Sequence, residues 1–95
     1  MGRMDQAQAL AALGALAQET RLQLYRLLVA IGPAGLSAGN IAERLGVAPS
    51  SLSFHLTELV QAGLITQTRL GRQLIYAMQP STMAALIQYL GDMTG

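Results

Sequence analysis

No cysteine occurs anywhere in the 95 residues, so the chain has no disulfide framework, no thiolate nucleophile and no thiolate metal site. Lysine is absent as well, and histidine and phenylalanine occur once each, as His55 and Phe54. A lone His with no Cys, no second His and no suitably spaced carboxylate builds neither a metal site nor a triad. No acid/base pair or phosphate-binding glycine loop is evident either, and we expect no enzymatic activity, no metal and no cofactor. Long apolar runs are also missing: Arg, Gln, Glu or Ser interrupts every hydrophobic segment, so nothing approaches the roughly 20 residues of a membrane span. The opening "MGRMDQAQALAALGALAQET" is punctuated by acid and Gln and shows no clear cleavage pattern. A signal peptide is not expected, and the default compartment is the cytoplasm.

What is present suits one small domain, residues 1–95, near the size at which a single core becomes self-sufficient. The hydrophobic share of 52% and the mean hydropathy of +0.37 are high for such a chain. A small domain has proportionally more surface to cover with polar groups, so some apolar surface is expected to be buried between chains. The net charge of +1, from six Arg and five acids, neither demands nor forbids a nucleic-acid partner. Where the Arg residues stand matters more than their sum.

Hydrophobic periodicity divides the chain into elements. From Asp5 to Gln18, Leu10, Leu13, Leu16 and Ala17 recur at helical spacing. Glu19 and Thr20 open a second helix whose shared face holds Leu22, Tyr25, Leu28 and Val29, and "IGPAG" ends it. Ser37 reads as the N-cap of a short third helix containing Ile41, Ala42 and Leu45, with Gly46 as its stop. Pro49 suits the first turn of a fourth helix, because its missing N–H has no partner there anyway. Helix, tight turn, helix is the helix-turn-helix arrangement. After Gly63 the period changes to two: "LITQTR" and "RQLIYAM" form a hairpin with Leu70-Gly71 as the turn and Arg69 and Arg72 at the tip. Pro80 starts a last helix with a Met83, Leu86, Ile87, Leu90 stripe. The fold class is therefore mainly α with a β-hairpin wing: a winged helix-turn-helix of about five helices.

The fourth helix, "PSSLSFHLTELVQAG", carries the feature that points to function. At roughly 100° per residue, Leu52, Leu56, Leu59 and Val60 form the apolar stripe, and Phe54 lies almost opposite. Around it stand Ser50, Ser51, Ser53 and Thr57. A recognition helix in the major groove needs short donors and acceptors for base edges and phosphates, and an apolar group to rest on a thymine methyl. The bland alternative is an ordinary solvated face with one exposed Phe. His55 borders the stripe; it is expected to contact DNA, with packing as a neutral core residue the alternative. Arg69 and Arg72 would reach phosphates or an adjacent minor groove, or else only keep a hairpin edge soluble. Pro49, Ser50, Ser51, Ser53, Phe54, His55, Thr57, Arg69 and Arg72 are thus the candidate residues for double-stranded DNA. The Leu stripes of the first and last helices exceed what one small core can absorb. Leu10, Leu13, Leu16, Met83, Leu86, Ile87 and Leu90 are the expected interface of a two-fold dimer. The methionines at 1, 4, 78, 83 and 93 show no pattern and read as packing.

Taken together, "ALAQETRLQLYRLL", "LSAGNIAERLGVAPSSLSFHLTELVQAGLI" and "RLGRQLIYAM" resemble the ArsR/SmtB family of bacterial winged-helix transcription regulators, from about Leu10 to Leu90. The resemblance implies a homodimer built through the terminal helices that sits on an imperfect inverted repeat and leaves it when an inducer binds. It places the DNA-reading helix at Pro49 to Ala62 and the wing at Arg69 to Arg72. Metal or metalloid induction does not carry over with it. The family's C-V-C-D-L motif lines up with "SAGNI", where Ser37 and Gly39 stand in place of Cys and Asn40 in place of the acid. The last helix has no His, and the adjacent Cys residues that follow it in some arsenic-responsive members are absent up to Gly95. The inducer is unknown; an arsenic- or antimony-responsive repressor whose C-terminal Cys site is missing from this chain, and a winged-helix module for protein partners, are the alternatives.

Overall fold

The computed structural model describes residues 3–95, so the packing role expected of Met1 lies outside the described residues. Its elements are α1 (Gln6–Leu16), α2 (Glu19–Ile31), β1 (Leu36–Ser37), α3 (Ala38–Leu45), α4 (Pro49–Gln61), β2 (Ile65–Leu70), β3 (Gln73–Met78) and α5 (Pro80–Asp92). Five helices and a small antiparallel sheet in the order β1-β3-β2 make the winged helix-turn-helix read from the sequence. No helix among the described residues is long and apolar enough to cross a membrane.

Local chemistry explains most boundaries. Asp5 caps α1 by a reciprocal box: its Oδ1 accepts from the Gln8 N–H at 2.8 Å, and the Asp5 N–H donates to Gln8 Oε1 at 2.8 Å. The Gln18 side chain caps α2 by accepting from the Arg21 N–H, and Ser37 Oγ caps α3 by accepting from the Asn40 N–H at 3.2 Å. Gly46 ends α3 in the left-handed region (φ 66°), as a C-terminal glycine does without a Cβ penalty. Pro49 stands in the first turn of α4, as expected.

Packing departs from the sequence reading in informative places. The buried face of α1 is Ala9, Ala12 and Ala15, whereas Leu10 and Leu13 face outward. Small residues turned inward are what bring α1 close to α2 and α4, leaving the larger side chains outside. In α2 the buried set is Leu24, Tyr25 and Leu28; Leu22 and Val29, expected on that face, are exposed. Leu86 is buried at 3% exposure and belongs to the protomer's own core, which removes it from the expected dimer surface. Leu24, Leu28, Ile41, Leu52, Leu59 and Leu64 are the largest fully buried side chains, each contributing about 1.5–3 kcal/mol by removal from water.

The sheet corrects the reading twice. Its third strand, β1, is only two residues long and pairs Leu36 with Tyr76 and Ser37 with Ile75. Two residues cannot show alternation, so this strand was invisible in the sequence. The hairpin closes with Leu70 opposite Gln73, so the turn is Gly71-Arg72 and not Leu70-Gly71. Gly71 at φ 64° occupies the first central position, where a type II′ turn needs positive φ.

Gly35 (φ 70°) leads into β1, and a Cβ there would stand 2.5 Å from the Tyr76 carbonyl oxygen. Gly35→Ala should therefore lower thermal stability clearly more than Gly46→Ala, where nothing lies within 4 Å and only the roughly 1–2 kcal/mol left-handed cost applies. Circular-dichroism melting of both variants checks this. Tyr25 offers a second test. Its hydroxyl is buried without a hydrogen-bond partner, and burial raises its pKa above the usual 10.0. Because the unfolded chain then ionises first, this group's contribution to stability falls as pH rises past 10.0. Tyr25→Phe should leave neutral-pH stability equal or higher by up to about 1 kcal/mol and remove that part of the alkaline decline, read from urea titrations.

Candidate nucleic-acid interface

The interface is built on α4, whose two faces divide cleanly. Leu52, His55, Leu56 and Leu59 are buried, while Pro49, Ser50, Ser51, Ser53, Phe54 and Thr57 are exposed. Phe54 is 59% exposed, at the centre of the outward face, where the periodicity had put it. Ala48, the N-cap of α4, makes no side-chain cap hydrogen bond, and Pro49 has no N–H to offer. The exposed first turn therefore presents the Ser50 and Ser51 N–H groups at the positive end of the helix dipole, an arrangement suited to a phosphate. Thr57 is more limited than expected. Its hydroxyl already donates to the Ser53 carbonyl at 3.0 Å, which leaves oxygen lone pairs and a methyl for an outside partner.

His55 corrects the reading. Expected to contact DNA, it is instead 9% exposed and turned inward, its Nδ1 lying 3.2 Å from Arg21 Nη1. A guanidinium can only donate, so Nδ1 is the acceptor and the proton of the neutral ring sits on Nε2. The reason is position: His55 lies three residues after Leu52 and one before Leu56, close enough to the stripe to be drawn under the helix.

Arg21 is the residue that sequence reasoning missed. Its backbone N–H is held by Gln18, its Nε donates to the Ala15 carbonyl at 2.7 Å, Nη1 donates to His55, and Cζ stands 5.9 Å from the Phe54 ring centroid. The rings of Phe54 and His55 meet edge to face, with centroids 5.6 Å apart. The only signal in the sequence was an arginine in the first turn of α2, and periodicity cannot say which element such a side chain reaches.

The wing presents Arg69, in β2 opposite Leu74, and Arg72, inside the turn; both are exposed, with Leu70 between Arg69 and the turn. On the terminal helices, which lie against each other, Leu10 (60%), Leu13, Ile87 (63%), Leu90 and Met93 are exposed, while Leu16 and Met83 are half-buried. Among the described residues no group of three or more His, Asp or Glu is placed to hold a metal ion.

A helix-turn-helix domain family matches residues 16–68, which takes in α2, α3, α4 and part of the hairpin. The transcriptional activator HlyU of Vibrio cholerae is 31% identical over 86 residues, covering 90% of this chain and 77% of that protein. The chain belongs to the ArsR/SmtB family of winged-helix transcription regulators. The HTH-type regulator CmtR of Mycobacterium tuberculosis is 43% identical over 77 residues, covering 80% of this chain and 63% of CmtR. An ArsR-like transcriptional regulator from Rhodococcus sp. RHA1 superposes with a TM-score of 0.83 at 27% identity, over 93% of this chain and 80% of that one. The homodimeric winged helix-turn-helix DNA-binding domain Mb0332 of Mycobacterium bovis (fragment 1–100) superposes at 0.74 and 27% identity, over 97% and 91% of the two chains. This regulator thus shares its fold with DNA-binding proteins along nearly its full length.

The placement of His55 is open to direct test. His55→Ala in this regulator should cost about 2–4 kcal/mol, because it leaves a cavity and an unmatched guanidinium N–H. A surface DNA contact would change stability by no more than about 0.5 kcal/mol. Urea unfolding of the two proteins separates these outcomes.

Proposed function

We propose that this chain is a single-domain, sequence-specific repressor that binds double-stranded DNA as a homodimer, on an inverted-repeat operator, and is released by an inducer. The observation that carries the reading is Phe54, an exposed aromatic amid Ser50, Ser51, Ser53 and Thr57 on the outward face of the second helix of a helix-turn-helix. In the major groove, the serine hydroxyls and the first-turn N–H groups would take phosphates and base edges, and the Phe54 ring would rest on a thymine methyl. Arg69 and Arg72, exposed on the wing, would add sequence-independent phosphate contacts. His55 supports this surface from below and leaves the set of contacting residues.

Dimerisation is supported by the large apolar side chains left exposed on the neighbouring terminal helices, Leu10 and Leu13 on α1 and Ile87 and Leu90 on α5. A two-fold dimer presents one α4 helix to each of two symmetry-related half-sites, which is why the expected operator is an inverted repeat. The site is one for recognition and not for turnover, and its place is the cytoplasm, where the DNA is. The fold leaves the inducer undefined, because the residues at 37, 39 and 40 that would carry a thiolate site are Ser, Gly and Asn.

Selection of bound fragments from random DNA by the purified chain, sequenced at two salt concentrations, tests the proposal. An enriched inverted repeat is expected. On that sequence Phe54→Ala should lose about 1–3 kcal/mol at particular bases, whereas Arg72→Ala should weaken all sequences alike and lower the log–log salt slope by about 1. Retention without enrichment, together with unchanged binding in both variants, would mean that Phe54 faces a protein partner.

A further inference from the structure

Arg21 touches three elements at once. Its Nε holds the last turn of α1 through the Ala15 carbonyl, its Nη1 holds His55 in the middle of α4, and its guanidinium carbon lies 5.9 Å from the centre of the Phe54 ring. An exposed aromatic side chain normally samples several rotamers, and fixing it on a ligand has an entropic cost. Here two contacts from the protein itself favour one orientation of the ring, the guanidinium at 5.9 Å and the edge-to-face contact with His55 at 5.6 Å. Arg21 already directs two of its side-chain donors into the protein and is itself half-buried, unlike the exposed Arg69 and Arg72.

We infer that Arg21 is a positioning residue for base reading: it orients Phe54 and His55 on α4 and so sets sequence discrimination without itself neutralising a phosphate. The inference rests on the proposed reading of α4 as the base-reading helix. It assigns Arg21 a role distinct from that of the wing arginines, although all three carry the same charge. The wing sets how tightly any DNA is held, and Arg21 sets how well one sequence is told from another.

Lysine at position 21 keeps the charge and loses the planar fork, so Arg21→Lys separates the two roles. In the folded variant, verified by its melting curve, the salt slope should equal that of the wild type. Discrimination between the selected operator and a copy altered at the base read by Phe54 should fall about fivefold or more, the low end for one good base contact. Combined with Phe54→Ala, it should cause no further loss of discrimination. In the free protein, the nitrogen shifts of His55 should show that the fixed Nε2–H tautomer is lost. Should Arg21→Lys not fold, His55→Leu, which fills similar space and removes both the Nδ1 acceptor and the ring edge that meets Phe54, should lower discrimination with an unchanged salt slope in the same way. A salt slope lowered by about 1 would show Arg21 on a phosphate, and undiminished discrimination or additive losses in the double variant would show a merely structural contact; each overturns the inference. A wild type that selects no sequence overturns the reading of α4 and this inference with it, whereas a selective wild type matched by its Arg21→Lys variant overturns the inference alone.

Discussion

A thirteen-residue helix held in a small domain can bury only one of its faces, and α4 buries the one made of Leu52, His55, Leu56 and Leu59. Those side chains lock α4 against α2 and α3, and Leu52 and Leu59 are almost wholly removed from water. The opposite face is exposed as a geometric consequence, because at roughly 100° per residue Phe54 falls almost opposite the middle of the buried stripe. Phe54 and the serines are therefore presented by the burial of their neighbours. Anything that loosened the stripe would rotate that exposed face away with it.

The same division operates on α1 with the residue types reversed. Ala9, Ala12 and Ala15 face the core, and Leu10 and Leu13 face out. An alanine face permits close approach of the helix axis but removes little apolar area from water, so α1 is held to its own protomer less strongly than its leucine content suggests. The apolar area left over is exposed, as are Ile87 and Leu90 on the neighbouring α5. A high hydrophobic share in a short chain is thus distributed between a modest core and an outward patch.

Arg21 connects these two regions. One guanidinium joins the end of α1 to the middle of α4, where a hydrophobic contact could fix distance but not direction. The hydrogen bond from Nη1 orients the His55 ring, and that ring in turn meets Phe54 edge to face. A polar group at this junction thus contributes orientation more than stability.

Element order, four of the caps and stops (Ser37, Gly46, Pro49 and Gly63) and the outward placement of Phe54 were legible in the sequence, because each depends on spacing within one segment or on the local chemistry of a single residue. The hairpin was legible in its strands but shifted by one residue in its turn, since both registers place Gly71 in the loop and only strand pairing across Leu70 and Gln73 chooses between them. What the tertiary structure alone decided were the relations between segments: that β1 joins β3, that Leu86 is core and Ile87 is surface, that α1 turns its alanines inward, and that His55 meets Arg21 from 34 positions away. Periodicity reports which residues share a face; it carries no information on which of two apolar faces finds a neighbour, because that choice depends on the shape and the donors of the element opposite.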